Sequence, residues 1–153
     1  MKHRDIIDPN EIYQILEAAD CCYMAMVSPD GSPYVVPMNF GYDDHYVYLH
    51  SARKGKKIDI LINNPKVCLA FSAFHQLRYQ SENVACSWSM KYKSVLVSGD
   101  VELIEQEEEK IKMLNCMMKK YAGRDFSYNA PALREVLTYR VSLKNIEARA
   151  YRY

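Results

Sequence analysis

The residues with the clearest chemical meaning run from His50 to Lys57, His-Ser-Ala-Arg-Lys-Gly-Lys-Lys, and carry four formal positive charges. They fall where a strand reading, Tyr46 to His50, hands over to a helix reading, Gly55 to Asn63, with Ile58, Leu61 and Ile62 as its apolar stripe. A helix N-terminus already carries about half a positive charge, so each cation there typically costs a few tenths to ~1 kcal/mol. An anion reverses that balance, and phosphate suits because free backbone N–H groups and the dipole both favour it. Lys56 and Lys57 can supply point charges and Arg53 a forked donor set. The Ser51 hydroxyl and the first helix amides can complete the hydrogen bonds. The plain alternative is a solvated basic turn that binds nothing.

A second stretch, Val36-Pro37-Met38-Asn39-Phe40, places a Pro and an amide in an otherwise apolar strand. Exposed backbone groups there could border a flat heteroaromatic ring, or the segment could simply be a bulged edge strand. His50 could donate to a phosphate, a substrate or a ring, or be an ordinary satisfied polar residue. No GxSxG elbow supports serine catalysis. Cys21 and Cys22 lie in an apolar strand, where thiols are usually inert.

The elements that must position these groups are legible in outline. Asp8-Pro9-Asn10-Glu11 reads as a capping box opening a helix whose Ile12, Ile15, Leu16 and Ala19 recur at helical spacing to about Asp20. Cys21 to Ser28 and Pro33 to Tyr42 read as a hairpin around Ser28-Pro29-Asp30-Gly31, with Pro37 at an edge or bulge. Asn63-Asn64-Pro65 stops the short basic helix. Val67 to Phe74 is a compact strand, His75 to Ser87 an irregular loop, and Trp88 to Ile104 a long strand bent at Gly99. Glu105 to Tyr121 is the strongest helix, acid first and Lys119-Lys120 last, with Ile111, Leu114, Met117 and Met118 as a core face or a partner groove. A helical turn through Leu133, a strand from Thr138 to Leu143 and an extended tail from Ala148 to Tyr153 complete the chain. About six strands joined by tight turns, with two short helices and one long one, predict a mainly β, antiparallel barrel in a single domain, 1–153. With no GxGxxG and no Walker motif, a Rossmann or P-loop fold has no support.

Composition narrows the function classes. The 153 residues are 49% hydrophobic and 25% charged, with net charge +1, too little for a dedicated nucleic-acid binder despite 13 tyrosines. The five cysteines show no zinc-ligand spacing and suit reduced thiols in a cytoplasmic protein, so no metal is expected. No apolar run approaches the ~18 residues of a membrane span, and the N-terminus lacks a signal peptide's apolar segment.

Taken in order, these stretches carry a resemblance. Gly31-Ser32-Pro33-Tyr34 through Pro37-Met38-Asn39-Phe40 is similar to the second strand of the pyridoxamine 5'-phosphate oxidase-like FMN-binding family. The similarity is greatest to its nitroimidazole-resistance branch. Tyr48 to Ala52, Gly55-Lys56-Lys57 and Asn63 to Val67 resemble the family's phosphate-binding segment, and Tyr92 to Gly99 its later strand. The resemblance covers residues 4 to 104 well and the C-terminal third loosely.

It implies a split β-barrel, with Greek-key-like antiparallel strands, that binds FMN at a homodimer interface and reduces small-molecule substrates such as nitroaromatics. Ser51, Lys56 and Lys57 would hold the phosphate, with Arg53 and Lys54 at the rim. Backbone groups from Pro37, Met38, Asn39 and Phe40 would border the isoalloxazine ring, with His50 near it. Ser94 occupies a position where the family often places a polar contact to the flavin, although the true oxidases carry a longer amide there. The chain lacks their arginine- and histidine-bearing C-terminal motif, ending in Glu147 to Tyr153, so vitamin B6 oxidation is not expected. The alternative is a non-enzymatic flavin- or haem-binding module, for which His45, His75 or Cys86 would have to supply an axial ligand.

Overall fold

The computed structural model describes residues 3–153. Its strands are β1 (His3–Asp5), β2 (Cys22–Val27), β3 (Pro33–Met38), β4 (Gly41–Tyr42), β5 (Tyr46–Ala52), β6 (Lys66–Arg78), β7 (Ser89–Asp100), β8 (Glu102–Ile104), β9 (Val136–Ser142) and β10 (Ile146–Tyr151). Its helices are α1 (Pro9–Ala18), α2 (Lys56–Asn63), α3 (Glu107–Ala122) and α4 (Ala130–Glu135), with one 3-10 turn at Ala85–Ser87. Burial alternates with period two in β2, while β5 and β9 are also buried on their second face at Tyr48 and Thr138, so each sheet has at least one face to cover. Two antiparallel sheets, β1-β10-β7-β6-β2-β3 and β4-β5-β9-β8, therefore pack inner face to inner face. Met24, Leu69, Phe71, Val95 and Val97 meet Val47, Leu49, Tyr139 and Val141 in one core, the interior of a split barrel.

The chain changes sheets where longer strands were expected. The return strand from Pro33 breaks at residues 39–40, because Phe40 turns inward, fully buried, and packs edge-on to Phe71 at 4.8 Å. Pro37 does lie on an edge strand, as a residue without an N–H must. The long strand from Trp88 breaks at Val101, whose N–H donates to Pro65 O at 2.8 Å, and not at Gly99. The residues from His75 to Arg78 are strand, not loop, because a bulge at Phe74 (φ 58) re-aims the register. The C-terminal tail is the internal strand β10, hydrogen-bonded to β7 on one side and to β1, which the sequence reading omits, on the other. On α2, Ile60 joins Ile58 and Leu61 inside, while Ile62 is 70% exposed. On α3, Met113, Leu114 and Met117 are buried, which makes this a core face.

Asp8 caps α1 by accepting from Asn10 N at 3.0 Å, but Glu11 does not close the capping box. Its carboxylate is held by Arg4 at 2.6 Å and Lys93 at 2.7 Å, tying β1 and β7 to α1. These partners, Arg4 first, pull the Glu11 carboxyl down to about 2. A carboxyl depressed by folding stabilises the protein above its unfolded range, near 4.5, and that contribution is lost as pH falls toward 2. Glu11→Gln is therefore expected to unfold more readily than the parent at pH 7, with the difference vanishing near pH 2. Urea midpoints across that range measure it, and a constant difference would refute the linkage.

Candidate functional site

Gly55 opens α2 with φ 126, a conformation that L side chains rarely adopt, and no side chain among the described residues caps the helix. The first intrahelical bonds are Ile58 N and Asp59 N to Gly55 O, at 2.9 and 3.1 Å. The N–H groups of Lys56 and Lys57 thus have no acceptor within the helix, and nothing lies within 4 Å of a Cβ built on Gly55. Open space beside unclaimed amides fits an oxyanion.

The two lysines that follow diverge. Lys57 Nζ turns inward to 3.6 Å from Met38 Sδ, whereas Lys56 Nζ lies over the Tyr34 ring, 4.5 Å from its centroid. His50, on β5, is half-buried, with Nδ1 3.3 Å from Met117 Sδ on α3. Burial first, and the positive charge of Lys57 second, hold His50 below the usual imidazole range. Neutral imidazole is thus its resting form at pH 7. Met38, His50 and Lys57 come together here, joined by Met117, whose place in the sequence marks it for a core face or a partner groove and not for this cluster.

Other expected members are placed differently. Ser51 is buried and donates to Ala52 O at 2.9 Å, not to the helix N-terminus. Near it, burial pushes the Tyr139 phenol up to about 12. Arg53 pairs with Glu105 at 2.6 Å and donates to Val136 O at 3.1 Å, strapping the end of β5 to β9. Lys110, buried in α3, donates to Leu133 O and Val136 O, each at 2.7 Å, and secures the same corner. Asn39 is exposed between the sheets. The Phe40 N–H is already taken by Tyr121 Oη at 3.2 Å, so that part of the expected open edge is closed. Tyr121 itself donates to Asp20 O at 2.8 Å, which fixes α3 against the barrel.

Ser94 lies apart from the cluster, on the outer face of the six-stranded sheet, opposite Ser72. It borders a cleft of about 230 Å³ with Tyr92, Leu96, Arg149 and Tyr151. Pro37 shares that face, in a cross-strand row with Tyr23, Ala70 and Leu96. His45, His75 and Cys86 are exposed and lie on separate elements. The buried Cys22 thiol is pushed up to about 12 by desolvation, which makes it a poor nucleophile. Among the described residues, no group of three or more His, Cys, Asp or Glu side chains could hold a metal ion.

Solved structures place this geometry among known proteins. The chain is similar to a candidate 5-nitroimidazole antibiotic resistance protein from Bacteroides thetaiotaomicron VPI-5482, at 40% identity and TM-score 0.88, over 98% of this chain and 88% of that one. Its fold is shared with the FAD and haem binding protein of Mycobacterium smegmatis, at 16% identity and TM-score 0.83, covering 100% and 75% of the two chains. A FAD-binding protein of Mesorhizobium loti aligns at 23% identity and TM-score 0.67, covering 98% and 99%. No curated protein matches by sequence. The family model described as Pyridoxamine 5'-phosphate oxidase matches residues 8–150. By that match across nearly its whole length, the chain belongs to the pyridoxamine 5'-phosphate oxidase family.

Proposed function

We propose that the protein binds FMN as a homodimer and uses it to reduce small molecules, nitroaromatic compounds among them. The observation that carries this reading is the uncapped α2 N-terminus with Lys57 folded in beside Met38 and His50. The 40% identical relative with its 5-nitroimidazole assignment supports the substrate class. FMN, when bound, supplies hydride or electron transfer at its reactive nitrogen. Lys57 and the amides of Lys56 and Lys57 would hold the phosphate, with Lys56 and Ser51 contributing less from their present directions. Met38 and the backbone of Pro37 and Asn39 would border the ring, and neutral His50 would stand beside it as a hydrogen-bonding group.

Support for two copies comes from the outer sheet face that bears Pro37 and Ser94. Tyr23 is 51% and Val35 58% exposed there, a run of apolar surface left open by the described residues. A second copy on this face would bury both and enclose Ser94. Five unpaired thiols suit a reducing, cytoplasmic setting, and among the described residues no helix is long and apolar enough to cross a membrane.

A binding module without turnover would share the same contacts, so turnover is the test. Protein loaded with FMN, reduced anaerobically with dithionite and freed of excess reductant, should regain its yellow absorbance when a 5-nitroimidazole is added. The nitro absorbance should fall in proportion. Protein that stays bleached is not a reductase of this class.

A further inference from the structure

At the far end of the six-stranded sheet from α2, the strand ends and the loop after Arg78 border a solvent-open cavity of about 450 Å³, of a size typical for small-molecule sites. His3, Arg4, Arg78 and Arg152 line it, with Tyr79 and Tyr153, and no carboxylate side chain does. Lys91 and Lys93 approach the Tyr153 ring to 3.9 and 5.1 Å. Glu11 answers Arg4 and Lys93, but no carboxylate pairs with Arg78 or Arg152 among the described residues. In a chain of net charge +1, this is a strong local excess, and a cleft lined by one sign of charge focuses its field.

The backbone marks the same place. Among the described residues, only two non-glycine residues have positive φ, Phe74 (58°) and Arg152 (59°). Both border this end: Arg152 lines the cavity, and Phe74 O accepts from Tyr153 Oη. Such conformations are costly for side-chain-bearing residues and gather at ligand sites. The remaining wall is held by local contacts. Tyr79 stacks on Trp88 at 4.2 Å, Trp88 Nε1 donates to Glu82 O at 3.1 Å, and Ser87 Oγ donates to Ser81 O at 2.7 Å.

We propose that this cavity binds the oxyanion group, carboxylate or phosphate, of a small molecule, with Arg78 and Arg152 as its forked donors. The site is separate from the α2 N-terminus and does not rest on the flavin reading. Tyr79 offers an apolar surface for the rest of the molecule.

Trp88 is the sole tryptophan and is stacked on a lining residue, so its emission reports occupancy. Titration of the full chain with sodium benzoate or inorganic phosphate, at ionic strength fixed with chloride, should give a saturable emission change. Response to benzoate alone identifies a carboxylate ligand, and response to phosphate alone a phosphorylated one. Arg78→Gln and Arg152→Gln, both at exposed positions, should each raise the half-saturating concentration about tenfold or more. Lys57→Gln should leave it unchanged. No saturable change with either anion, or an equal response in the Arg78→Gln/Arg152→Gln double variant, would overturn the proposal.

Discussion

Gly41→Ala is expected to destabilise the protein by about 3 kcal/mol, the upper part of the range for overpacking a filled interior. A Cβ at Gly41 would sit 2.7 Å from Met117 N, 2.8 Å from Cys116 C and 2.9 Å from Met117 Cα. All three are backbone atoms of α3, so no rotamer change relieves the clash and the helix must move as a body. It is also tied down there, because Cys116 Sγ donates to Tyr42 O at 3.1 Å. For a domain of this size the loss corresponds to a melting temperature lower by roughly 6–12 °C. Gly99→Ala is the contrast. Its Cβ would meet only the tip of Val141 at 3.2 Å, a side chain able to shift, and the change should cost about 1 kcal/mol or less. Thermal unfolding of both variants measures the difference, and equal melting temperatures would contradict the close packing of β4 under α3. Because Met117 also contacts His50, Gly41→Ala should disturb the site as well as the fold.

Lys57→Gln is expected to weaken FMN binding about ten- to a hundredfold, the effect of losing a charge-assisted hydrogen bond worth about 1.5–3 kcal/mol. Lys56→Gln should weaken it less than about tenfold, since that amine lies over Tyr34 and only its backbone faces the helix N-terminus. A second readout needs no flavin. The positive charge of Lys57 is one of the two causes that hold His50 low, so the imidazole of Lys57→Gln should titrate at higher pH. Burial remains, so the return to an ordinary value should be partial. Proton NMR of the histidine resonances measures this, and an unchanged His50 titration would separate the two residues.

The fold was legible wherever local chemistry decides the outcome. The Asp8 cap, the Ser28–Gly31 turn, the Gly55 entry to α2 and the Gly123 stop after α3 all appear as read. What the sequence hid was set by distant partners. Glu11 has the spacing of a capping box, yet Arg4 and Lys93, brought in by β1 and β7, offer it stronger bonds. Ile60 and Ile62 are equally apolar, and only the tilt of α2 against the barrel selects Ile60. The breaks at residues 39–40 and at Val101 depend on which sheet each half of a strand joins, a non-local choice that no hydrophobic pattern records. At the site, the basic run and Met38 could be found by charge and position. Two facts could not: that Lys56 and Lys57 point apart, and that Met117 meets His50 from a helix 67 residues away in sequence. The bulge at Phe74 was also invisible, since its left-handed backbone contradicts the preference of phenylalanine.

The central claim, that the α2 N-terminus holds a flavin by its phosphate, is tested most directly by comparing FMN with riboflavin, which differs only by lacking that group. Equilibrium titration of flavin-free protein, followed by quenching of flavin fluorescence, gives both affinities. FMN should bind about a hundredfold more tightly or better, as several charge-assisted bonds to one phosphate require. Equal affinity for the two flavins, or no binding of FMN, would contradict it.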